Sequence, residues 1–150
     1  MSITLQILSS FISSIAFGII ISVPKSSLVY VGITGALSWA VNLLLRPIFP
    51  NILVPIFLAS VSVSILSIIF AKRLKMPATV FNLPGVFPLV PGITAFETMK
   101  TFMARDFMLG MELMMRTFAI SMSIALAIVV TEVFYNAYIR IKNNKSRLKS

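Results

Sequence analysis

Cysteine and histidine are both absent from the chain. Without cysteine there is no disulfide framework and no thiol chemistry. Without histidine the commonest general base and the commonest metal ligand are missing. Carboxylates are scarce as well: Glu97, Asp106, Glu112 and Glu132 are the only four acidic residues. Hydrolytic or metal-dependent catalysis has almost nothing to work with, so no catalytic residue, metal site or cofactor is expected. No Gly-x-x-x-x-Gly-Lys-Ser/Thr loop is present, which argues against direct use of ATP. Charge itself is thin: 11% of the 150 residues are charged, where a soluble domain carries about a quarter.

What fills the chain instead is apolar. Hydrophobic residues make up 58% and the mean hydropathy is +1.00. This is the composition of a membrane protein whose main surroundings are the lipid bilayer. The net charge of +9 would suggest nucleic acid in a soluble protein. Here five of the thirteen basic residues lie in "RIKNNKSRLK", directly after an apolar segment. That is the pattern of a cytoplasmic anchor behind a last span, and no nucleic-acid partner is expected.

A span needs about 20 apolar residues to cross a hydrocarbon core of about 30 Å. Residues 3–23, 27–45, 52–71 and 113–139 qualify directly. Residues 76–96 form a fifth candidate, with no charge but with Pro77, Pro84, Pro88 and Pro91 and with Gly85 and Gly92. If this run crosses, nine of the thirteen basic residues fall on one side and all of Glu97, Asp106 and Glu112 on the other. That is the positive-inside pattern with the N-terminus out and the C-terminus in. If the run only dips in and returns, "KRLK" faces outside, against the rule. The expected fold is therefore an all-α integral membrane protein of about five transmembrane helices, the fourth broken by Pro and Gly. It forms a single transmembrane domain over residues 1–150, with residues 140–150 as a basic cytoplasmic tail. No linker within it is long enough to hold a soluble domain. The first span has no basic residue ahead of it and is too long for a signal h-region, so it reads as an uncleaved anchor.

Helices in lipid associate through small residues that let backbones approach. The first span offers Ser10, Ser14 and Gly18, with Ser9, Ser13 and Ala16 alongside. The second offers Gly32, Ala36 and Ala40, the third Ser60, Ser64 and Ser67, and the last Ala119, Ser123, Ala127 and Thr131. Such stripes usually serve packing, and their presence on nearly every span suggests an assembly larger than five helices. Polar groups at membrane depth say more. Asn42 lies near Trp39, Asn82 lies inside the proline-rich run, and Glu132 precedes the basic tail by two turns. Glu132 reads either as an interfacial carboxylate or as part of a polar path.

The broken run is the feature with most functional content. Non-helical backbone sits at membrane depth only where protein buries it or a wet cavity meets it. Secondary transporters use such discontinuous helices, whose restarting N-terminus favours anions. "PGITAFETM" is a credible restart. Gly92 allows close backbone approach. Thr94 as N-cap, with Glu97 three residues later, would make a capping box. Asn82, Pro84, Gly85, Pro88, Pro91, Gly92 and Thr94 are thus candidates for shaping a pore or binding substrate. Asn42, Glu97 and Glu132 are candidates for a polar path. The bland alternative is a structural kink.

"GVFPLVPGITAFETM" resembles the signature of the threonine/serine exporter family, in which a P-x-x-PG element follows an apolar run. Residues 13–45, with their Val-Pro-Lys turn and Gly-Ala-x-x-Trp element, resemble that family's first two spans. Together these regions cover about half the chain. Length and span count resemble the family's small membrane-only branch. The resemblance implies a two-component exporter whose larger partner carries further spans and a soluble domain. It implies efflux of small carboxylates, either threonine/serine-type amino acids or dicarboxylates such as succinate. It also implies a multi-pass protein of the bacterial plasma membrane, working as a hetero- or homo-oligomer. Glu97 and Glu132 match no motif of the family. A non-transporting assembly subunit is the alternative expectation; a membrane enzyme is disfavoured by the missing side chains.

Overall fold

The computed structural model describes residues 2–147, with side chains through residue 141. It is helical throughout, with α1 at Ile3–Ile20, α2 at Leu28–Leu45, α3 at Leu53–Leu74, α4 at Thr79–Val86, α5 at Gly92–Met103 and α6 at Phe107–Arg147. Short 3-10 turns at Lys25–Ser27 and Phe87–Leu89 precede α2 and follow α4. Four helices (α1, α2, α3 and α6) are long and apolar enough to cross a membrane alone. A fifth crossing is added if the pair Thr79–Leu89 and Gly92–Met103, bent by 54° at the break, counts as one span.

The helix ends follow from local chemistry. Beyond α1, Ser22 takes a left-handed conformation, and Pro24 cannot extend a helix. After α3, Lys75 sits at φ 54° and the Met76 N–H returns to the Ala71 carbonyl at 3.0 Å. This 6→1 closure satisfies orphan carbonyls. Arg105 repeats it between α5 and α6, with Asp106 N–H on the Thr101 carbonyl at 3.2 Å. Asp106 then caps α6, its Oδ1 accepting from the Leu109 N–H at 3.2 Å.

Small residues make the contacts between helices. Ser10, Ser14 and Gly18 are all buried on α1, and Ser14 packs on Gly35 so closely that no Cβ fits there. The flanking Ser9 and Ala16 are exposed. On α2 the buried face is Val31, Gly32, Thr34, Gly35, Ser38 and Asn42, while Ala36 and Ala40 are only half-buried. The stripe is rotated from the one expected because α2 packs against α1, α3 and α4 at once. Ser60, Ser64 and Ser67 are buried on α3 as expected. Of the α6 stripe only Ala127 is fully buried, beside Ile120 and Ile124.

The course of the broken element follows from α3 and α6. Ser123 Oγ donates to the Leu53 carbonyl at 3.2 Å, and Lys72 Nζ sits 4.7 Å from the centre of the Tyr135 ring. The beginning of α3 thus meets the middle of α6, and the end of α3 meets a later turn of it. The two helices run parallel, so the chain between them must traverse the bundle. Helix α6 spans 41 residues, about 60 Å at 1.5 Å per residue, twice the thickness of a bilayer core. It contains the span expected over 113–139 and carries on into the basic segment; residues 148–150 of the expected tail lie outside the described residues.

Candidate functional site

The prolines of the fourth crossing act unequally. Pro77 precedes α4, and Pro84 lies inside it without ending it. Pro88 occupies the first turn of the 3-10 segment. The break falls at Val90 and Pro91. Val90 is extended, with ψ 131°, as a residue before proline prefers. Pro91 has ψ 52°, and α5 starts at Gly92. The Phe87 ring stacks on Phe17 of α1, centroids 4.4 Å apart, and pins the turn to the bundle.

One expectation is corrected at the restart. Helix α5 begins two residues before Thr94 and has no side-chain cap. Thr94 is therefore inside the first turn, where its carbonyl accepts the Thr98 hydroxyl at 2.7 Å. Glu97 is exposed. The Thr94–Glu97 capping box does not form, because Pro91 with its fixed φ starts the helix early. The uncapped N–H groups of α5 remain a positive helix end.

A cavity of about 390 Å³ opens at this break. Pro88, Pro91, Thr94 and Glu97 line it from the broken element, Asn42 and Arg46 from α2 and the residue after it, and Arg116 from α6. Trp39 closes a further side, its indole N–H donating to Gln6 Oε1 at 3.2 Å. Asn42 is 6% exposed, and its Oδ1 has no hydrogen-bond partner among the described residues. An unsatisfied buried acceptor is costly unless a ligand or water meets it. Arg46, Arg116, Glu97, a helix N-terminus and the open amide acceptor of Asn42 thus border one space. Arg46 and Arg116 are seventy residues apart in sequence, and only the packing of the bundle brings them to one cavity.

The other candidates lie elsewhere. Asn82 is on α4, 2% exposed, and its amide Nδ2 donates to Glu132 Oε1 at 3.3 Å. Glu132 lines a second cavity of about 590 Å³ with Lys72, Lys75, Met76, Tyr135 and Asn136. Pro84 is fully buried. Gly85 is a packing residue: a Cβ there would lie 2.8 Å from both Thr34 Oγ1 and Val63 Cγ1. Gly92 is exposed, and a Cβ there would meet nothing within 4 Å. Between the two cavities lies an apolar cluster that includes Ile56, Val63, Val86, Leu89, Ile120 and Ile124.

No solved structure matches the chain. The model of the family described as threonine/serine exporter, ThrE, matches residues 6–134, which takes in α2 to α5 whole, most of α1 and a large part of α6. A multi-pass helical bundle with a broken crossing, matched over nearly its whole length, belongs to the threonine/serine exporter family of membrane transporters.

Proposed function

We propose that this chain is a subunit of a secondary exporter of small carboxylate metabolites, with the substrate carboxylate received in the cavity at the helix break. The observation that carries this is the grouping of Arg46, Arg116 and the uncapped α5 N-terminus around one space beside the buried Asn42. Arginine recognises carboxylates through paired charge-assisted hydrogen bonds. The open Oδ1 of Asn42 and the Glu97 carboxylate are acceptors for an ammonium group. That combination favours a zwitterionic amino acid such as threonine or serine over a dicarboxylate, which would leave both acceptors without a donor.

The working unit, in this reading, sits in a bacterial plasma membrane with the N-terminus outside. It pairs with a larger exporter subunit that supplies further spans. The test is efflux from proteoliposomes holding both subunits, with a panel of amino acids and dicarboxylates. Arg116→Gln should weaken amino-acid transport about 10- to 100-fold, as loss of a charged hydrogen bond does. Gly92→Leu enters open space, so it should insert and assemble normally while slowing efflux. Wild-type rates in both variants would remove the break cavity from the transport path. Full efflux by the larger partner alone would make this chain an assembly subunit.

A further inference from the structure

The Glu132–Asn82 pair lies at the opposite end of the broken element from the proposed substrate cavity. Arg116 and Glu132 are sixteen residues apart on α6, about 24 Å along the helix. Asn82 is 2% exposed and carries one satisfied and one unsatisfied end. Its Nδ2 donates to Glu132 Oε1 at 3.3 Å, and its Oδ1 has no partner among the described residues. The half-buried carboxyl of Glu132 borders the 590 Å³ cavity, so it is reachable from one side and bonded on the other.

We infer that Glu132 and Asn82 form a proton-binding site that latches α6 to α4. A carboxylate has only acceptors, so the ionised pair makes one hydrogen bond, Nδ2–H to Oε1. A carboxylic acid has one donor and an acceptor. When a water-borne proton binds a Glu132 carboxyl oxygen, the new O–H can donate to Asn82 Oδ1 while Nδ2–H still donates to the other oxygen. The pair then closes as a reciprocal two-bond ring, and the orphaned buried oxygen is satisfied. Loss of the proton opens one bond. Because α4 leads through the 3-10 turn into the break and α6 lines both cavities, the latch links proton binding at one end to the element that shapes the other.

The charged and titratable groups lining the cavity with Glu132 are Lys72 from α3, Lys75 just after it and Tyr135 from its own helix. Helix α4 contributes only the neutral Asn82, and the Glu97 of α5 lines the other cavity. The Lys72 ammonium sits over the Tyr135 ring, and Glu132 has no ion pair among the described residues.

The test does not depend on transport or on the partner. The full chain in lipid bilayers is followed by infrared difference spectroscopy as pH is changed, with the amide bands as a check on folding. With only four acidic side chains, assignment by single variants is direct. The expected result is a titrating carboxylic-acid carbonyl band that disappears entirely in Glu132→Gln. In Asn82→Leu that band should persist at higher frequency, since its carbonyl has lost the amide donor. Glu132→Asp, which leaves Asn82 in place but shortens the reach by a methylene, should move the band too. A band unchanged in Glu132→Gln, or unmoved in the other two folded variants, overturns the proposal. So does a carboxylate band that answers to sodium rather than to pH, which would make the pair a metal-ion site.

Discussion

Single residues here do two distinct jobs, and composition does not tell them apart. Gly85 and Gly92 both flank prolines in one short run. Gly85 lets α4 settle against Thr34 and Val63, whereas Gly92 faces open space at the restart. Gly85→Val should therefore cost about 1–3 kcal/mol, as overpacking does, and lower the thermal unfolding midpoint in detergent. An unchanged midpoint would mean that α4 is not seated as described. The same division holds for amides. Asn42 and Asn82 stand out in the sequence as polar groups at depth, but Asn42 lines the break cavity whereas Asn82 bonds the Glu132 carboxylate. Neither assignment was legible from spacing, because α5 and α6 reach Asn42, and α6 reaches Asn82, only through tertiary contact.

At the scale of the element, the bent crossing was expected from four prolines, and its position was not. Pro84 and Pro88 are absorbed into helical geometry, Pro77 lies ahead of α4, and Val90–Pro91 parts the chain. Restoring an N–H at that point should let the two halves approach one helix. Pro91→Ala is expected to reduce the 54° bend and slow efflux at unchanged expression. Distances between spin labels on α4 and α5 report the bend, and an unaltered distance would place its cause in packing rather than in the proline. The hairpin between α5 and α6 depends on a smaller device, the Asp106 cap. Asp106→Ala should destabilise by about 1 kcal/mol, measurable as a lower unfolding temperature with unchanged helix content at room temperature.

Across the whole molecule, the two ends differ in charge and chemistry. One end carries Arg46 and Arg116 around the break cavity; the other carries Lys72, Lys75 and the Glu132–Asn82 pair. An apolar cluster separates them. The absence of cysteine makes the chain its own blank for labelling. Cysteine introduced at Lys25 or Arg73 should react with an impermeant reagent only from inside, and cysteine at Lys100 or Arg105 only from outside. Labelling of both sets from the same side would contradict five crossings. The sequence by itself determined the class of molecule and the presence of a break in the proline-rich run, because hydropathy and proline act locally along the chain. It could not assign the capping of α5, the rotated face of α2 or the partners of Asn42, Asn82 and Glu132. Those are decided by which helix faces meet. In lipid those faces are chosen by close packing of small side chains such as Ser14 on Gly35, a matter of shape between distant segments rather than of sequence order.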